Sequence, residues 1–130
     1  MKDSKVLKWI LIIIGINLTI MGLWRLFDPI GFFEFSGLIL SEDAGLLNEA
    51  RGTVGAIIGF GLLILLGAFK KKLAFTSTIV AIILFFGFGI ARVISIVLDG
   101  NPGEALYKGI IGEFVMGSIA LFALIKYRDK

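Results

Sequence analysis

The sequence predicts an all-α, single-domain integral membrane protein built as a four-transmembrane-helix bundle. Three observations predict it. Of the 130 residues, 58% are hydrophobic and only 18% charged, against roughly 45–50% and about 25% in an average soluble domain. The apolar residues fall into four runs of about 20 residues or more, the length that crosses a hydrocarbon core of about 30 Å as a helix. The lysines and arginines cluster beside those runs, not over a soluble face.

The first run covers residues 6–27. It follows Lys2 and Lys5 as a signal peptide would. Its apolar part is too long for one, and no A-x-A-like pair precedes a cleavage point, so it is expected to remain as a helix. Trp9 and Trp24 are placed to sit at opposite membrane interfaces, and Asn17 and Thr19, in mid-span, are expected to hydrogen-bond to another helix. The second run, residues 50–69, contains Gly55-x-x-x-Gly59, a packing signal. Lys70, Lys71 and Lys72 then form a tight link to the third and longest run, residues 73–98, which is expected to tilt or protrude. A membrane strand needs only about 10 residues with alternating polarity; these runs are longer and do not alternate. "DGNPGE", Asp99 to Glu104, stacks three turn-forming pairs before the fourth run, residues 105–125.

The stretch 28–49 is too apolar for a free loop and too interrupted to cross. Phe32, Phe33, Phe35, Leu38, Ile39 and Leu40 predict a segment at the interface or folded back over the bundle. Ser41 ahead of Glu42 and Asp43 reads as a helix start. The sequence shows no second domain, low-complexity tract or internal repeat.

Charge sets the expected direction. If four helices cross, both termini and the Lys70–Lys72 link share one side. That side holds nine basic residues against Asp3 and Asp129, a net +7; the remainder holds four basic residues against eight acidic ones, a net −4. The positive-inside rule then places both termini in the cytoplasm of a cell (inner) membrane.

With no cysteine and no histidine, thiolate, haem–Cys and zinc Cys/His chemistry are excluded, as is a Ser-His-Asp or Cys-His nucleophile. No carboxylate set has metal spacing. No cofactor is implied, an enzyme is not expected, and the basic residues flank membrane spans instead of forming a nucleic-acid patch.

The informative residues are charges inside or beside the spans. Arg92 lies in the third run, about 28 Å above Leu73 at about 1.5 Å per residue, near the outer edge of the hydrocarbon. From there a guanidinium can snorkel, which lowers the midplane cost of about 2.5–3.5 kcal/mol. Arg25 ends the first run at similar height, Glu49 and Arg51 open the second, and Glu113 lies in the fourth. Arg92 and Glu113 are comparably distant from the intervening turn and are expected partners. Gly89, Arg92, Ser95 and Asp99 share one stripe; Gly109, Glu113, Gly117 and Ala120 share another; Gly52, Gly55 and Gly59 share a third. Small residues let helices approach, so these are the expected interior faces.

These residues resemble a known family. "NEARGTVGAIIGFGLLIL" from Asn48, "ARVISIVLDGNPGEAL" from Ala91, and "GEF" at Gly112–Phe114 are similar to the mostly bacterial four-helix membrane proteins grouped as domain of unknown function 4345. In that pattern an acid-x-Arg pair (Glu49, Arg51) opens the second helix. Arg, Ser and Asp-Gly-x-Pro (Arg92, Ser95, Asp99, Gly100, Pro102) follow in the third helix and its turn, and a Glu (Glu113) in the fourth. The likeness covers roughly residues 48–126, with Thr53-Val54-Gly55 standing where the family often has an aromatic and paired glycines. It implies a membrane protein and supplies no reaction.

Three functions fit. Arg25, Glu49, Arg51, Arg92, Ser95, Asp99 and Glu113 could form an outward-facing site for a small anionic ligand or a membrane lipid headgroup. Glu113 could serve a small transporter or proton-coupled carrier. The chain could be a structural subunit docking partner helices. These charges could also simply pair and fix helix register. The sequence fixes neither partner nor oligomeric state.

Overall fold

The computed structural model describes residues 1–129. Its helices are α1 (Lys5–Phe27), α2 (Pro29–Phe35), α3 (Ala44–Phe69), α4 (Lys71–Asp99) and α5 (Glu104–Tyr127). Every one but α2 is long and apolar enough to cross a membrane, and no strand occurs among the described residues. The four expected spans are therefore present.

The helix ends follow local chemistry. Ser4 caps α1, its hydroxyl accepting from the Val6 and Leu7 amides. The Asp28 carboxylate caps α2, accepting from Gly31 N–H, with Pro29 in the first turn where its missing N–H costs nothing. Gly37, with φ 80°, closes α2 in a left-handed conformation that suits glycine. Asp43, not Ser41, caps α3: its carboxylate accepts from Leu46 N–H, while the Ser41 hydroxyl accepts from Asp43 N–H one step earlier. The helix start expected at Ser41 is thus displaced to Asp43. The stretch 28–49 is likewise divided, because α3 already begins at Ala44. What lies outside the spans is α2 and the bend after it, folded against the end of α1 by Trp24, whose ring meets Phe32 edge-on and Phe35 at a tilt.

The packing forms two hairpins. α1 lies along α3, α4 lies along α5, and α3 joins α4 across the Lys70 link. Close approach is bought by glycine only where backbones touch. A Cβ on Gly15 would stand 2.8 Å from Leu65 N and one on Gly61 3.0 Å from Thr19 N, so the α1–α3 seam has no room for alanine. Gly89 and Gly117 do the same between α4 and α5, against the rings of Phe114 and Phe86.

The expected interior stripe Gly52, Gly55 and Gly59 is corrected: a side chain at any of these positions would meet nothing within 4 Å. The seam face of α3 runs through Ala50, Val54 and Gly61, and at about 100° per residue Gly52, Gly55 and Gly59 fall more than a quarter-turn away. Gly109 is open too, although Glu113, Gly117 and Ala120 do face inward. Asn17 and Thr19 are also corrected. Asn17 is exposed, and the Thr19 hydroxyl donates to Gly15 O of its own helix at 2.7 Å, a bond available without any neighbour.

The shared core occupies one half of the bundle. Leu7, Leu11, Ile14 and Leu18 of α1 meet Ile64 of α3, Ala74, Ala81 and Phe85 of α4, and Ala120, Ala123 and Tyr127 of α5. Both termini and the Lys70 link lie at this end: Lys2 N–H donates to Tyr127 O at 2.6 Å, and the Met1 ammonium pairs with Asp129 at 2.8 Å. The three lysine-rich clusters therefore share one end, as the charge pattern requires. Across the bundle α3 and α5 make no close backbone approach among the described residues, and α3 packs on α1 and α4.

Candidate functional site

The inward face of α4 explains where its charges point. Ala74, Thr78, Ala81 and Phe85 are buried at spacings of three or four residues, and the same stripe continues through Arg92, Ser95 and Asp99. In the basic half this face is core. Beyond Phe85, Arg92, Ser95 and Asp99 are exposed and border, with Arg25 of the other hairpin nearby, an open polar region, the arginine cleft. Thus α4 turns polar at the level where its face becomes exposed.

Glu113 projects from α5 toward this cleft. Arg92 Nε lies 3.0 Å from Glu113 Oε1, with the glutamate side chain 15% exposed and the arginine 45%. The expected pair is formed. The Nε–H is not aligned with the carboxylate, however, so Oε1 is buried and receives no well-directed hydrogen bond. The contact is an ion pair with donors to spare on Arg92 and an acceptor to spare on Glu113.

Arg25 reaches the same region from α1. Its Nε donates to Ala50 O at 3.0 Å and its Nη2 to Thr53 Oγ1 at 2.9 Å; Thr53 in turn donates to Glu49 O at 3.2 Å. The guanidinium lies 5.2 Å from the Phe33 ring, a cation–π contact. Arg25 and Arg92 are near enough for their like charges to interact.

Arg51 is held differently. Its Nε donates to Leu26 O at 2.8 Å, so Arg25 grips α3 while Arg51 grips α1 in a reciprocal clamp. Arg51 and Thr53 are two residues apart, about 200° around the helix. They therefore flank opposite sides of the α1–α3 seam, and Arg51 stands apart from the cleft that Arg25 and Arg92 share. Of the three candidate arginines, only Arg92 is paired with a carboxylate among the described residues. Backbone carbonyls and a threonine hydroxyl hold Arg25 and Arg51. Among the described residues Glu49 and Asp99 form no ion pair; both are exposed, as is Ser95. A helix that ends at the membrane surface offers unpaired carbonyls only near its end. Leu26 lies in the last turn of α1 and its carbonyl accepts from Arg51, whereas Ala50 lies inside α3 and its carbonyl accepts from Arg25 across the seam.

Sequence reasoning missed Thr53 and Phe33. Thr53 lies four residues after Glu49 on the same face, and that spacing was the available signal. Phe33 gave no signal, because α2 had to be located before its ring could be placed under Arg25. Among the described residues no group of histidine, cysteine or acidic side chains is arranged to hold a metal ion.

Fold and site together define a multi-pass helical membrane protein whose arginines lie at the acid-rich end of the bundle. Residues 6–124 match the family model described as Domain of unknown function (DUF4345), and the chain belongs to that family, in agreement with the motifs around Glu49, Arg92 and Glu113. No curated protein and no solved structure matches the chain.

Proposed function

We infer that this is a non-enzymatic membrane protein with both termini in the cytoplasm, whose cleft at the acid-rich end binds a small anionic or zwitterionic ligand such as a lipid headgroup. One observation carries the reading. Arg25 Nε is anchored on Ala50 O and Arg92 Nε stands beside Glu113 in an ion pair, and the Nη edge of Arg92 and Nη1 of Arg25 have no protein partner among the described residues. Planar donors presented in this way suit phosphate or carboxylate. Glu49 and Asp99, unpaired at the cleft mouth, suit the cationic part of a zwitterion.

A carrier would need access to its site from both sides of the membrane. The dry core of Leu11, Ile14, Ile64 and Ala120 gives that reading no support.

The test is lipid retained on purification, measured by mass spectrometry of Arg92→Ala, Arg25→Ala and the parent protein in mild detergent. Retention of one headgroup class by the parent and its loss in both variants, with elution and helicity unchanged, is the expected result. Equal retention in all three proteins would refute the site.

A further inference from the structure

The basic end carries a second cavity, remote from the arginine cleft. It has a volume of about 500 Å³ and lies between the start of α1 and the α3–α4 link, within the size of small-ligand sites at about 300–1,000 Å³. Lys2, Lys5, Lys8 and Lys71 line it, against one acid, Asp3. The nearby Asp129 is occupied by the Met1 ammonium at 2.8 Å. Lys8 is steadied by the Phe69 ring, 5.1 Å below its Nζ. The floor is apolar: Leu7, Leu11 and Ala74 reach it from the core. α4 begins at this point with no side-chain cap, so its first amides are further donors for an anion.

We propose that this cavity binds a phosphate-bearing anion, with its lysines neutralising the phosphate and its apolar floor taking the carbon skeleton beyond it. Basic pockets between membrane helices at a lysine-rich surface favour anionic headgroups. Lysine stems there lie along apolar surface while their ammonium groups reach the headgroup plane. Four ammonium groups around one cavity repel one another when it is empty, and a bound phosphate anion relieves that repulsion.

The test uses the full chain in dodecyl maltoside with three probes: phosphatidylglycerol, phosphatidylcholine and inorganic phosphate. Binding is read by native mass spectrometry and by the shift in unfolding temperature. The double variant Lys5→Gln/Lys71→Gln removes two cavity charges. Lys126→Gln/Arg128→Gln removes two charges from the same end outside the cavity and serves as the control.

The expected result, read in an Arg92→Ala background that removes the arginine cleft, is phosphatidylglycerol binding that falls about tenfold in the cavity variant and is unchanged in the control, with phosphatidylcholine weak throughout. Protection by inorganic phosphate alone, lost in the same variant, supports the site and identifies a free anion as its source. Equal losses in cavity variant and control would reduce the effect to net surface charge and overturn the proposal. So would the absence of binding by either phosphate probe. Because Arg92→Ala leaves this cavity intact, failure here is distinguishable from failure of the arginine cleft.

Discussion

The two ends of this bundle are built from the same helices and hold together by different means. At the basic end four helices share one apolar core, and the buried polar side chains among the described residues, Ser77 and Thr78, are satisfied by backbone: Ser77 Oγ donates to Leu63 O at 2.9 Å and Thr78 Oγ1 to Ala74 O at 2.7 Å. At the acid-rich end arginine contacts tie α1 to α3 and α4 to α5. The first arrangement tolerates no added volume and no charge. The second tolerates exposed charge because Arg25 and Arg51 each donate to a fixed carbonyl and Arg92 stands beside the Glu113 carboxylate. The contrast explains how one chain can be rigid along one half and open along the other.

The contrast is easiest to break at Gly15. Gly15→Leu drives a side chain into the backbone of Leu65, and overpacking of this kind costs about 3 kcal/mol at its upper end. The outcome is loss of the α1–α3 hairpin, read as a lower denaturation midpoint in an SDS titration. Arg92→Ala is next, with about 2 kcal/mol expected, because Glu113 is then left largely buried without its cation. Arg92→Ala/Glu113→Ala is expected to recover part of that loss, since no buried charge remains; a double variant as unstable as the single would show that the pair itself is not what matters. Ser77→Ala removes one interhelical hydrogen bond and is expected to cost about 0.6 kcal/mol in a membrane setting.

Gly55→Ala sharpens the comparison from the other side. The position is open, so replacing glycine within a helix is expected to stabilise by about 0.5–1 kcal/mol, a rise in the midpoint where Gly15→Leu gives a fall.

The smallest effect is at Asp129, where the Met1 ammonium, by hydrogen bond and charge, holds the carboxyl below its ordinary value of 3.8, with Lys71 and Lys2 contributing. A depressed carboxylate gives stabilisation that is complete above the ordinary value and fades as pH falls through the lowered one. Asp129→Asn is therefore expected to differ from the parent near neutral pH and converge with it in strong acid, by a small margin because the side chain is exposed.

Much of this was legible in the sequence for a simple reason. Spans are set by length and hydropathy, which are one-dimensional, and charge clusters by position alone. The Arg92–Glu113 pair was legible because an antiparallel pair across a short turn converts distance from the turn into height. Helix faces were less legible. Gly55-x-x-x-Gly59 has the spacing of a packing motif, but Gly15 and Gly61 make the close approach, and nothing in the order of residues says which glycine face meets a neighbour. The acceptors of Arg25 and Arg51 were invisible for a related reason: they are main-chain carbonyls of Ala50 and Leu26, and every residue has one.

The α3–α4 link has a mechanical corollary. α3 ends at Phe69 and α4 begins at Lys71, so a single residue is the pivot between two long arms. α4 has 29 residues, about 43 Å at about 1.5 Å each, so a tilt of about 5° at the pivot carries the far tip about 4 Å. Like tweezers pinched near the hinge, the molecule can change its gape by more than an atom's width while the interlocked side chains by the pivot scarcely move.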